Sequence, residues 1–145
     1  LCNGLDLPER DIKLVGGLFH VVNDVERIGD HAENLVEYAE YFIENNLTFS
    51  DMAVEELNEM TDKVIKLLDD AINAFKTRDK NLAKQIEEQE ESIDDLRDRL
   101  RESHIDRLNK QTCNPSSGVV FLDIVTNLER IADHAVNIAQ SVLND

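Results

Sequence analysis

The sequence predicts an all-α protein, an antiparallel bundle of four long helices, and three observations carry that expectation. Apolar residues recur at alternating steps of three and four along four separate segments, the spacing of one helix face. Gly and Pro are scarce, five and two in 145 residues, with Pro8 at a helix start and Pro115 in a break. Runs that alternate β-branched and aromatic residues with polar ones are absent, so no strand competes.

The first helix is predicted from about Pro8 to Glu44. Asp6 stands as its N-cap, Glu9 three residues on completes a capping box, and Pro8 occupies the first turn. Its seam runs through Leu14, Leu18, Val21, Val25, Ile28, Ala32, Leu35, Ala39 and Phe42. Asn45-Asn46 makes a turn, and Thr48 and Ser50 supply the next cap. The second helix shows Val54, Leu57, Met60 or Thr61, Val64, Leu68, Ala71 or Ile72, and Phe75 on one face and stops near Thr77-Arg78. Asp79 caps a third helix carrying Leu82, Ile86, Ile93, Leu96, Leu100, Ile105 and Leu108, with Glu and Asp dense on the other side. The stretch from Cys113 to Gly118 breaks the chain. The fourth helix follows, with Phe121, Ile124, Leu128, Ile131, Ala135, Ile138 and Val142 as its seam. Short connections between such helices favour antiparallel neighbours.

The length suits one domain with a single core. Fifteen Lys and Arg stand against 31 Asp and Glu, a formal charge of −16. That balance excludes a nucleic-acid partner and a polybasic membrane patch, both of which need dense Lys and Arg. An apolar fraction of 41% at regular spacing argues against disorder. Cys2 and Cys113 have neither a disulfide framework nor zinc spacing, and with no secretory signal a reducing cytoplasmic setting is expected. The longest apolar stretch, Leu14 to Val22, contains two glycines and His20 and falls short of the roughly 20 residues a membrane span needs. The first residue is leucine, which suggests a fragment with something upstream.

The first and fourth helices share more than a seam. Glu26-Arg27-Ile28-Gly29-Asp30-His31-Ala32-Glu33-Asn34 aligns with Glu129-Arg130-Ile131-Ala132-Asp133-His134-Ala135-Val136-Asn137, identical at seven of nine positions and 103 residues apart. Packing alone explains similar apolar residues but not identical polar ones. On a helical wheel Glu26, Asp30, Asn34 and Arg27 form a ridge on the side or back of the helix, off the seam. Glu and Asp four apart stack two carboxylates about 6 Å apart at their β-carbons. Such a pair repels unless a di- or multivalent cation bridges it as a hard oxygen-ligand site. A single Glu-x-x-x-Asp in an acidic helical protein is more often a solvated ridge with local Arg pairs. Its duplication tips the reading toward metal. His31 and His134 point about 100° away from the neighbouring acids and read as hydrogen-bonded packing residues. His20 and His104 occur singly and read as structural.

The two copies, ERIGDHAEN and ERIADHAVN, resemble the signature of the PhoU family of phosphate-uptake regulators. The resemblance implies two three-helix repeats, the last helix of each carrying a Glu/Asp-x-x-x-Asp motif that binds multinuclear iron or zinc clusters. Within it the metal residues are Glu26 and Asp30, Glu129 and Asp133, and a further pair on the third helix, Glu90 and Asp94, although Glu91 and Asp95 have the same spacing. Residues 1–145 then form one PhoU-like domain, with 8–46 the last helix of a first repeat and 50–145 a complete second repeat. Missing helices of the first repeat would leave apolar surface for a homodimer to cover. The stretch from Arg101 to Ala139 is most similar to the cytoplasmic tail of bacterial sodium/phosphate cotransporters. That implies a membrane domain upstream in the same chain, or a phosphate transporter complex, as partner, with inorganic phosphate a candidate ligand.

The function expected is therefore regulatory and non-catalytic: a metal-binding helical domain in phosphate transport, the cytoplasmic tail of a sodium-dependent phosphate transporter, with a free-standing regulator as the alternative. A ferritin-like di-iron oxidase would need Glu-x-x-His facing the core. Gly17, Ile28, Arg101 and Ile131 precede the four histidines by three residues, so that motif is absent. A metal-free helical interaction module is the plain alternative. No Gly-rich elbow, phosphate loop or Ser/Cys-His constellation supports catalysis.

Overall fold

The computed structural model describes residues 8–144, which form four helices in the order α1 (Glu9–Glu44), α2 (Asp51–Thr77), α3 (Lys80–Asn109) and α4 (Pro115–Leu143). Three starts are capped as their side chains dictate. Ser50 Oγ accepts the Ala53 N–H at 3.1 Å, Asp79 Oδ1 accepts those of Asn81 and Leu82 at 3.0 and 3.1 Å, and Asn114 Oδ1 accepts that of Ser116 at 2.8 Å. The cap predicted at Asp6 lies outside the described residues; α1 begins after Pro8, with no side-chain cap. The predicted break over 113–118 is shorter than expected. Pro115 is the first residue of α4, where its missing N–H costs nothing, so Ser116, Ser117 and Gly118 are helical. Between α2 and α3 the chain turns on Arg78, which takes a left-handed φ of 54°.

Helices α2, α3 and α4 pack mutually as a three-helix bundle, while α1 packs on α4 alone among the described elements. Side-chain pairs fix the directions. Lys63 with Ser92 and Glu56 with Arg107 run α2 against α3, and Arg97 with Glu129 and His104 with Phe121 run α3 against α4. His31 with Asn127 and His134 with Asp24 run α1 antiparallel to α4. The core of α2 follows Ala53, Leu57, Met60, Val64, Leu67, Ala71 and Ala74, rotated slightly from the predicted face, so that Val54 is exposed and, of the Ala71 and Ile72 alternatives, Ala71 is the buried one. In α3 the inward position after Leu100 belongs to His104, and Ile105 and Leu108 face solvent. Helix α4 touches all three others and is buried nearly all round, from Val120 and Phe121 to Val142.

The first helix departs furthest from expectation. A stripe with steps of three and four has two rows. The row Val21, Ile28, Leu35, Phe42 faces α4 as predicted. The second packed row is not Val25, Ala32, Ala39 but the polar one beside it, Asp24, His31, Tyr38. Val25 is 55% exposed, and Leu14 and Leu18 also stand open, because one neighbour can cover only one flank of the stripe. Phe42, Phe49 and Phe121 form a run of ring contacts at 4.4 and 6.1 Å that closes the α1–α2 turn over α4.

Candidate functional site: the α1–α4 clamp, the α3–α4 acidic face and the α1 cleft

The repeated helices grip each other by a polar clamp that obeys the 103-residue offset of the repeat. His31 Nδ1–H and Asn34 Nδ2 donate to Asn127 Oδ1 at 3.0 and 3.1 Å. Their repeat counterparts, His134 and Asn137, donate to Asp24 Oδ1 at 3.0 and 3.2 Å. Asp24 and Asn127 are themselves counterparts, since 127 is 24 plus 103. Each helix thus offers a His and an Asn one turn apart to a buried oxygen on its partner. The two imidazoles stack between these ends, with centroids 5.7 Å apart. Asn127 is 3% exposed and completes itself by donating to Tyr38 Oη at 3.3 Å and to the Asp123 carbonyl at 2.9 Å. A buried amide with its oxygen and nitrogen both matched fixes the pairing of two helices as apolar contact alone does not. Both histidines therefore have the packing role expected of them. Asn34 and Asn137, placed on an outer ridge by the wheel, in fact face the other helix.

The six predicted metal residues divide between two places. Glu26 and Asp30 are exposed on α1 and have no hydrogen bond or ion pair among the described residues. Glu90, Asp94, Glu129 and Asp133 share the α3–α4 seam. Glu90 and Asp94 are half-buried there, whereas Glu91 and Asp95 face solvent, so the first of the two equally spaced pairs is the one turned to α4. Partial burial first, then the charges of Asp94 and Asp133, push the Glu90 carboxyl above its ordinary range. Asp133 is likewise raised by desolvation and by Asp94, against the opposing pull of His134, Arg97 and Arg130. Arg97 lies within this group, paired with Glu129 and 3.4 Å from Asp94. No set of three or more His, Cys, Asp or Glu side chains is arranged to hold a metal ion among the described residues.

A third feature is a cleft of about 1200 Å³ between the N-terminal half of α1 and the C-terminal ends of α2 and α4. Lys13, His20, Arg27 and Arg78 stand on its walls, and the clamp residues His31 and His134 lie within it. The remaining histidine, His104, is buried against Phe121, with ring centroids 5.7 Å apart. Desolvation, with the nearby Arg107 charge, holds its pKa below the ordinary value. Cys113 is a free, half-buried thiol outside these sites.

With this architecture in hand, comparison with known proteins is decisive. The PhoU domain profile matches residues 57–142, most of the α2–α4 bundle. The chain belongs to the PhoU family. A PhoU crystal structure from Pseudomonas aeruginosa superposes with a TM-score of 0.89 at 25% identity, over 96% of this chain and 66% of that one. A phosphate-specific transport system accessory protein PhoU homolog 1 of Thermotoga maritima is 30% identical over 121 residues, 83% of this chain and 51% of its own. A phosphate-specific transport system accessory protein PhoU homolog of Synechocystis is 29% identical over 92% of this chain and 58% of its own. The chain spans about half the length of these PhoU relatives.

Sequence reasoning missed Asp24, Asn127, Tyr38 and Arg97. The signal for the first two was present: extending the repeat two residues upstream aligns Asp24 with Asn127, a near-match of shape across a change of charge.

Proposed function

We propose that this PhoU-family chain is a regulatory, non-catalytic accessory component of phosphate transport, working at the cytoplasmic face of a phosphate transporter complex. The PhoU domain match over residues 57–142 carries this reading. The paired helices support it, because a polar clamp between repeated elements suits a scaffold that presents surfaces in fixed orientation. A separate accessory protein is favoured over the tail of a sodium/phosphate cotransporter, since the relatives named above are accessory proteins of phosphate-specific transport systems. No described helix is long and apolar enough to cross a membrane.

Metal binding, with iron or zinc as the cations implied by the resemblance, belongs to the same proposal at the α3–α4 face. The donor type fits a hard cation: Glu90 and Asp133 are raised first by partial burial and then by neighbouring carboxylates, and a bound cation would offset both. No three of the described carboxylates stand ready for a metal, so Glu90, Asp94 and Asp133 would have to draw together to hold it. Glu129 would join only by giving up Arg97. Glu26 and Asp30 would form a separate surface pair on α1. Deleting the gene in its own host and measuring phosphate uptake at high and low phosphate tests the regulatory reading. Altered uptake together with co-purification of transporter subunits is expected, and unchanged uptake in both conditions refutes it. Elemental analysis of the purified chain tests the metal separately. Stoichiometric iron or zinc that disappears in Asp94→Asn with Asp133→Asn supports the site, and metal-free wild-type protein removes it.

A further inference from the structure

In a chain of formal charge −16, the cleft beside α1 has the opposite balance. Its walls carry Arg10, Lys13, Arg27 and Arg78 against only Asp11 and Asp24. Both acids are already engaged. Asp11 lies 3.8 Å from Arg10, and Asp24 accepts from His134 and Asn137. Lys13 and Arg27 have no ion pair or hydrogen bond among the described residues. Lys13, His20 and Arg27 follow one another at seven-residue steps, so they form a single stripe along α1, roughly 10 Å between successive members. Gly16 and Gly17 lie beside this stripe with open space where their side chains would be, which deepens the floor. Asn137 and Gln140 add amide donors from the opposite wall.

We infer that this cleft binds an extended polyanion bearing more than one phosphoryl group, a nucleoside polyphosphate or an inorganic polyphosphate. The inference deepens the phosphate-transport reading and rests on it for the choice of phosphate over other anions. Geometry selects the extended form. A single phosphate can touch only one member of the stripe, whereas a chain of three phosphoryl groups reaches two successive members, Lys13 with His20 or His20 with Arg27, about 10 Å apart along the axis. A volume of about 1200 Å³ is far more than one phosphate fills. The carboxyl ends of α2 and α4 carry partial negative charge, so the anion lies along the α1 wall and the opposite wall receives any organic body. Arginine and lysine supply charge-assisted hydrogen bonds, the strong class for phosphate oxygens.

The test is calorimetric titration of the purified chain, stripped of metal by chelation, with inorganic phosphate, tripolyphosphate and ATP in separate arms. Tripolyphosphate or ATP is expected to bind at least tenfold tighter than inorganic phosphate, and the stronger of the two identifies the source. Lys13→Gln with Arg27→Gln should weaken that binding at least tenfold with unchanged helicity. Lys110→Gln, an exposed change at the opposite end of α3 from the cleft, should leave it within twofold. Equal affinity for phosphate and tripolyphosphate, an unaffected double variant, or an equal loss in Lys110→Gln overturns the inference. A chain that binds none of these anions yet alters phosphate uptake in cells overturns it while the regulatory reading stands. A chain that binds them without any effect on uptake does the reverse.

Discussion

Replacing Asn127 with alanine tests whether the polar clamp, rather than apolar contact, holds α1 on the bundle. The side chain makes three bonds across the interface, from His31, from Asn34 and to Tyr38, at 3.0, 3.1 and 3.3 Å. Its fourth, to the Asp123 carbonyl, is within α4. Each interhelical bond contributes about 1 kcal/mol net. His31, Asn34 and Tyr38 are only half-buried, so each recovers part of its loss to water once Asn127 is truncated. The expected cost of Asn127→Ala is therefore about 2–3 kcal/mol, or a fall in Tm of roughly 5–10 °C for a chain of this size. Urea unfolding followed by circular dichroism measures it. Amide exchange should show the loss concentrated in α1, which has no other helix to lean on. A double-mutant cycle with His31→Ala should give a coupling of about 0.5–2 kcal/mol. A cost below about 0.5 kcal/mol with uniform protection across α1 would refute the clamp as the joining element.

Three further outcomes follow from neighbouring sites. Gly118→Ala places a Cβ against His104 Cε1 and 3.0 Å from Nε2, on a ring already stacked against Phe121. The gain in helix propensity, about 1 kcal/mol, is outweighed by an overpacking cost of about 1–3 kcal/mol, so thermal unfolding should show a net loss that His104→Ala relieves in the double variant. The pKa of His104 is lowered from 6.5 in the fold, so the unfolded chain takes the proton first; stability should fall as pH drops through and below that value, and His104→Gln should flatten the dependence in denaturant titrations. Asp133 is raised from 3.8, so its folded form favours the protonated carboxyl and stability falls as pH rises through the window above that value. In metal-free protein Asp133→Asn should stabilise at pH 7, by under about 1 kcal/mol because the side chain is exposed, and the gain should vanish below its unfolded pKa. A destabilised Asp133→Asn at neutral pH would contradict the desolvation and the Asp94 charge that raise it.

How far the site was legible depends on whether one helix or two were needed to see it. The duplicated Glu-Arg-Ile-x-Asp-His-Ala-x-Asn segment was plain in the sequence, and so was the spacing that stacks Glu90 on Asp94. A wheel of α1 in isolation sent Asn34 outward with Glu26 and Asp30, because periodicity measures angles from the centre of an apolar stripe. The true contact lies off that centre. Arg97 could not be foreseen at all, since its partner Glu129 is 32 residues away on another helix.

By itself the sequence determined the four helices. Steps of three and four, with Ser50 and Asp79 ready to satisfy free N–H groups, leave little else for these segments to form. The repeat identified the family. Only tertiary structure decided which flank of each apolar stripe is used, because burial depends on how many neighbours a helix has. With three neighbours α4 closes on nearly every side, and the choice of flank hardly matters. With one neighbour α1 must choose, and hydrogen-bonded Asp24, His31 and Tyr38 take the contact while Val25, Ala32 and Ala39 remain in solvent.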